Sequence, residues 1–292
     1  MKLRGAMTAI VTPFREDGSV DVETLRALVR WQIESGIHGL VPCGTTGEGA
    51  TLEPDEHALV IRTVVEETGR RVPVIAGCGT NDTRTTIAGA KRAVGAGADA
   101  LLVVSPYYNK PNASGMLAHY RAVAEAAGIP IVPYNVPGRT GQNLPPDLIF
   151  GIAEIPGVVA VKEAAANLEQ VADLVAGRRE GFAILSGDDS LVVPSLALGI
   201  DGVISVVSNE APAEMAALAE AGLRGDFTQA RALHYRLLDL MRANFVESNP
   251  VPVKAAMALL GRCSDRVRAP LGPPTEKTRQ TLSAALAKAG LR

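Results

Sequence analysis

The chain is short of cysteine, of net charge and of long apolar runs, and each shortage removes a class of protein. Cys43, Cys78 and Cys263 are three scattered residues in a chain of 292. An odd set with no zinc-like spacing gives neither a disulfide framework nor a zinc site. The 29 Lys and Arg are matched by 31 Asp and Glu, so there is no strong basic field to attract nucleic acid or an anionic membrane. No apolar run reaches the ~18 residues of a membrane span. The N-terminal Met1-Lys2-Leu3-Arg4 carries charge, but Thr12, Pro13, Arg15, Glu16 and Asp17 break the following run too early for a signal peptide. His38, His57, His119 and His234 show no ligand spacing, and no metal is expected. These readings describe a soluble, reduced, cytoplasmic protein.

What is present is a repeating unit: a short β-branched run, a turn, an Ala/Leu-rich helical stretch, then glycine. The strand-like runs are Met7–Thr12, Leu40–Cys43, Val72–Gly77, Ala100–Ser105, Ile129–Asn135, Val158–Lys162, Phe182–Ser186 and Gly202–Val207. Their near-continuous apolarity fits strands buried on both faces, as in parallel sheets. Between them, Leu25, Leu28, Val29 and Ile33 share a helix face. Pro54-Asp55-Glu56 suits a helix start, and Asn81 or Asp82 suits a cap. Gly36, Gly69, Gly97, Gly128, Gly157 and Gly199 fall where helices should stop. Eight βα units of about 25–33 residues predict an α/β fold of the (β/α)8 TIM-barrel type. The barrel is expected over residues 1–222. Residues 223–292 read as a small C-terminal helical appendage, with helices over Thr228–Phe245, Val251–Leu260 and Glu276–Ala289. No linker separates the two, so the appendage is expected to pack on the barrel.

Active sites of such barrels lie at the C-terminal ends of the strands. Lys162 alone among the lysines interrupts a strand-like apolar run, Val158–Val161, and with period two it shares a face with Ala160 and Val158. Facing the barrel interior, its ammonium loses solvation and its pKa falls, giving the neutral amine that forms a Schiff base with a carbonyl. A lysine reaching solvent or pairing with an acid is the competing reading. Tyr134, at another strand end, reads either as a proton shuttle or as a core tyrosine. Gly44-Thr45-Thr46-Gly47 is a turn able to hold a carboxylate, or simply a βα turn. Arg139 reads as a carboxylate contact or a solvated loop arginine. Asp188-Asp189 fits the first turn of a helix, and that structural reading is preferred.

Taken in order, these segments resemble the dihydrodipicolinate synthase family of pyruvate-dependent class I aldolases. The matching segments include Thr8–Phe14, Gly44-Thr45-Thr46-Gly47-Glu48, Pro106–Pro111, Tyr134–Gly141, Val161-Lys162-Glu163, Ser186-Gly187-Asp188-Asp189, Gly202–Val206 and Asn249-Pro250. The chain departs from the family at Gly49-Ala50 and at Ala165-Ala166. The resemblance implies condensation of pyruvate with L-aspartate-4-semialdehyde, on the route to diaminopimelate and lysine. It gives Lys162 the Schiff-base role and makes Thr45, Tyr134 and Tyr108 a proton relay, with Tyr108 reaching a neighbouring subunit's site in a homotetramer built as a dimer of dimers. Thr45 and Thr46 would hold the pyruvate carboxylate, Arg139 would hold the semialdehyde carboxylate and the loop geometry, and Gly187 and the Ile204 carbonyl would line the substrate site. His57, Asn81 and Tyr107 match part of a lysine-binding allosteric site. There, Pro54 and Thr85 stand where lysine-sensitive members carry His and Glu. No cofactor is implied, because the iminium is itself the electron sink. The alternatives are a sialate or 2-keto-3-deoxy sugar acid aldolase or dehydratase, and a catalytically silent ligand-binding relative. The Arg139 motif and the Tyr107-Tyr108 pair argue against the first.

Overall fold

Eight short strands form one parallel sheet in a computed structural model that describes residues 3–292. They are β1 (Gly5–Thr8), β2 (Gly39–Leu40), β3 (Ile75–Gly77), β4 (Ala100–Val104), β5 (Ile131–Asn135), β6 (Ala160–Glu163), β7 (Ala183–Ser186) and β8 (Gly202–Ser205). The pairing order is β2-β1-β8-β7-β6-β5-β4-β3. A parallel bridge from Leu40 to Val74 joins β2 to the residue just before β3, so the sheet closes on itself. This is the (β/α)8 barrel expected from the repeat. Several strands are shorter than the apolar runs that carry them, β2 most of all. Val41 and Cys43 lie beyond β2 yet remain buried. Val41 still donates its N–H to the Thr8 carbonyl and accepts from the Ile10 N–H, so the apolar run outlasts the short strand.

Alternation along each strand divides the apolar residues into two layers. Met7, Ile75, Leu102, Val132, Tyr134, Ala160, Leu185 and Ile204 fill the barrel interior. Leu101, Val103, Ile131, Val161, Ile184 and Val203 face the helices. Lys162 shares the interior face with Ala160, as expected, but Val158 does not. Val158 packs in the outer layer, and Val159 packs against the interior. Period two holds only from Ala160, where β6 begins; Val158 makes just an isolated bridge to Ile131.

The helix signals act where the sequence places them. Asp21 caps α1 (Val22–Glu34), and Pro54 opens α2 (Pro54–Thr68), where the Glu56 carboxylate accepts the Glu53 backbone N–H at 3.0 Å. Of the two candidate caps, Asp82 holds α3 (Thr83–Gly95). The left-handed caps Gly69 and Gly128 end α2 and α4 (Ala113–Ala127), a conformation that costs glycine little. After β5 comes a single turn, α5 (Pro137–Thr140), and then α6 (Pro146–Ala153). Beyond β6 and β7 lie α7 (Leu168–Gly177) and α8 (Val192–Leu198), and α9 (Pro212–Leu223) follows β8.

The remaining helices are α10 (Phe227–Ala243), α11 (Val251–Leu259) and α12 (Glu276–Lys288). α10 packs on α8 and α9, and α12 packs on α10 and α11. Leu237, Leu240, Met241, Leu282 and Leu286 bury their side chains there. No helix among the described residues is long and apolar enough to cross a membrane.

Candidate active site

Lys162 and Tyr134 are register partners across the β5–β6 ladder. Both side chains face the barrel interior, and the Lys162 Nζ lies 4.3 Å from the Tyr134 ring centroid. Lys162 is only 6% exposed. Burial lowers its pKa to about 8; Asp189 and Asp188 oppose that shift, and Arg139 adds to it. Burial also pushes the Tyr134 phenol up, with the Arg139 charge working the other way. The site thus holds an amine that is partly neutral near neutral pH beside a phenol that keeps its proton.

A second lysine shows why burial alone does not make a nucleophile. Lys254 on α11 is fully buried, but its Nζ donates to the Glu48 carboxylate at 2.7 Å and to the Thr12 carbonyl at 2.9 Å. Its charge is neutralised and its lone pair is not free. Among the described residues, no hydrogen bond or ion pair ties Lys162 in this way.

Gly187 sits directly against Lys162. A Cβ there would lie 2.9 Å from the Lys162 Cε and 2.7 Å from the Ala164 Cβ. Next to it, Asp189 accepts the Val206 and Val207 N–H groups at 2.9 Å each, tying the end of β7 to that of β8. Asp188 accepts the Ala166 N–H at 3.2 Å. The structural reading of this acidic pair is sound, but it missed that both charges also bear on Lys162. Glu163 was missed as well. It is buried on the opposite face from Lys162 and accepts from Asn135 Nδ2, Gln170 Nε2 and the Ala165 N–H. Its own carbonyl accepts the Gly187 N–H at 2.7 Å, so Glu163 ties the end of β6 to β7 as well as to the Asn135 side chain of β5.

The turn after β2 is held from three directions. The Thr12 hydroxyl donates to the Gly47 carbonyl at 2.7 Å. Glu48, at φ +53°, bonds Lys254 through one oxygen and the Arg268 N–H through the other. Gly49 approaches so closely that a Cβ would lie 2.1 Å from the Cys43 carbonyl oxygen. Thr45 is left exposed and Thr46 buried. The Thr46 hydroxyl accepts from Asn249 Nδ2 at 3.0 Å, and the Asn249 carbonyl accepts from Arg139 Nη2 at 3.4 Å. Thr46 and Arg139 therefore meet on one residue of the α10–α11 loop. Asn249-Pro250 is visible in the sequence as punctuation, but nothing there ties it to the β2 turn.

The other expected residues divide. Ile204 lies in the interior layer with Leu185 and Tyr134. Tyr108 is not brought to Lys162 within the chain: it is 89% exposed, at φ +69°, and no hydrogen bond joins it to Tyr134 or Thr45 among the described residues. His57, Asn81 and Tyr107 lie near the ends of β3 and β4 without bonding one another. His57 Nε2 is 2.7 Å from the Gly77 carbonyl, while its buried Nδ1 has no partner. The Asn81 carbonyl accepts from Asn109 Nδ2 at 2.8 Å.

Residues 2–289 match the Dihydrodipicolinate synthetase family. The 4-hydroxy-tetrahydrodipicolinate synthase of Maridesulfovibrio salexigens is 51% identical over 292 residues, covering all of both chains. The chloride-inhibited dihydrodipicolinate synthase of Acinetobacter baumannii, solved with pyruvate, superposes with a TM-score of 0.97 at 42% identity, with both chains covered completely. A monomeric dihydrodipicolinate synthase variant superposes equally well, at 0.97 and 42%, over 99% of this chain and 98% of that one.

Proposed function

The chain belongs to the dihydrodipicolinate synthetase family, and from this we infer that it condenses pyruvate with L-aspartate-4-semialdehyde to give 4-hydroxy-tetrahydrodipicolinate, a step of lysine and diaminopimelate biosynthesis. The observation that carries the reading is Lys162: a buried, unpaired amine with a pKa of about 8 at the C-terminal end of a barrel strand, set against a protonated phenol.

The chemistry follows from those groups. The neutral Lys162 Nζ adds its lone pair to the pyruvate carbonyl carbon. The carbinolamine loses water to give an iminium. The iminium withdraws electrons, so the pyruvate methyl gives up a proton and becomes an enamine carbon. That carbon bonds to the aldehyde carbon of the semialdehyde, and the aldehyde oxygen takes a proton. Attack of the acceptor's own amine on the iminium carbon closes the ring and releases Lys162. Each step moves a proton, which suits hydroxyls that both give and accept.

In this reading Tyr134 and Thr45 carry protons. Thr46 holds the pyruvate carboxylate, Arg139 holds that of the acceptor, and the Ile204 carbonyl and Gly187 line the cavity. Tyr108 completes the relay from a second copy of the chain, which favours a homotetramer; its exposure in the single chain supports that role. A protein acting on these small polar metabolites belongs in the cytoplasm. The test is a steady-state assay with pyruvate and L-aspartate-4-semialdehyde beside sialate and 2-keto-3-deoxy sugar acids. Turnover of the semialdehyde with negligible cleavage of the sugar acids is expected; the reverse preference would overturn the reading.

A further inference from the structure

We propose that Asn249 is a positioning residue for pyruvate, whose side-chain amide fixes the Thr46 hydroxyl as a hydrogen-bond donor. The inference rests on the reading of Thr46 as a ligand of the pyruvate carboxylate. A threonine hydroxyl has one hydrogen and two lone pairs, and an unconstrained one rotates to suit its partner. Here Asn249 Nδ2 donates to the Thr46 Oγ1 at 3.0 Å, and both residues are buried. One lone pair is thereby occupied, and the hydroxyl hydrogen is left for an acceptor in the barrel mouth. A carboxylate is acceptor-only and needs such a donor.

The amide makes this contact at a cost. Asn249 Oδ1 is buried without a partner, and an unsatisfied buried acceptor is unfavourable. Turning the amide over would let Oδ1 accept from Thr46, but it would consume the hydrogen that the carboxylate requires. The contact to Arg139 uses the Asn249 backbone carbonyl, not its side chain. Changing the side chain thus perturbs the Thr46 end and leaves the Arg139 end bonded, which separates the two carboxylate subsites experimentally.

The experiment measures KM for each substrate, kcat and thermal unfolding in the full chain for Asn249→Ala and Asn249→Asp. Asn249→Ala frees the hydroxyl; it should raise KM for pyruvate about tenfold, the value of one hydrogen bond to a charged group, with KM for the semialdehyde within about twofold. Asn249→Asp is nearly isosteric but can only accept. It captures the Thr46 hydrogen and sets a negative charge beside the incoming carboxylate, so it should raise pyruvate KM by about a hundredfold or more. In a Thr46→Val background, Asn249→Ala should add almost nothing. Wild-type-like pyruvate KM in Asn249→Asp would overturn the proposal, as would equal rises in both KM values. If Asn249→Ala does not fold, the isosteric Asn249→Asp decides alone. Failure of the wild-type chain to form a pyruvate adduct would instead remove the functional reading beneath it.

Discussion

Lys162 and Tyr134 face each other across one rung of the barrel, with the amine 4.3 Å from the ring centroid. The same burial moves their pKa values in opposite directions, lowering the lysine and raising the tyrosine. In each case it favours the neutral form, the form that the proposed chemistry uses.

This placement costs stability. In the unfolded chain the amine titrates near 10.5, and in the fold at about 8. Between those values the unfolded chain binds more protons, so stability rises with pH across that window. Below pH 8 the full cost of about 3 kcal/mol is present. Lys162→Met should abolish activity yet stabilise the fold by roughly 1–3 kcal/mol at neutral pH, and the gain should shrink near pH 10. Urea midpoints at the two pH values check this; an equal or lower midpoint at neutral pH would contradict it.

Gly187→Ala brings a methyl within 2.9 Å of the Lys162 Cε and 2.7 Å of the Ala164 Cβ. The lysine must move, so adduct formation should slow by about a hundredfold, the order of loss expected for a misplacement of about 1 Å. Single-turnover trapping beside circular dichroism measures both effects. A wild-type rate in the folded variant would show that the lysine has slack.

Lys254→Met leaves Glu48 buried without its cation, while the Arg268 N–H and the turn after β2 still depend on that carboxylate. Breaking a buried pair from one side typically costs ~3–5 kcal/mol. Denaturant unfolding should show that loss, and the double variant Glu48→Gln/Lys254→Met should recover part of it. A single-variant loss below about 1 kcal/mol would contradict the assignment.

Feedback inhibition by lysine should be weak or absent. A buried ammonium needs an anion, and the family resemblance puts Thr85 where lysine-sensitive members have Glu. The nearby acid Asp82 is committed as the α3 cap, accepting the Thr85 N–H at 2.8 Å and its hydroxyl at 2.6 Å. A steady-state titration with L-lysine tests this; half-inhibition below millimolar concentration would show that a replacement acid is available.

The barrel was legible because apolar runs and helix-stopping glycines report burial and chain reversal locally. Lys162 was legible for the same reason, as a charge inside such a run. Strand lengths were not, since Val41 and Cys43 stay buried beyond the end of β2. Contacts between distant segments were also invisible. Asn249 meets Thr46 across 203 positions and Lys254 meets Glu48 across 206, and no local pattern records either. Asp188 and Asp189 read as turn residues because their charge on Lys162 acts through space, from another strand.

The most direct measurement is borohydride reduction in the presence of pyruvate, followed by peptide mapping, from about pH 6 to about pH 9. Among the described residues two lysines are buried, and of these Lys254 is held by Glu48 and the Thr12 carbonyl while Lys162 is not. The adduct should appear on Lys162 alone. Its rate should rise roughly tenfold per pH unit below 8 and level off above it, as the neutral fraction saturates. An adduct on Lys254 or any other lysine, or one that persists in Lys162→Ala, would contradict the account.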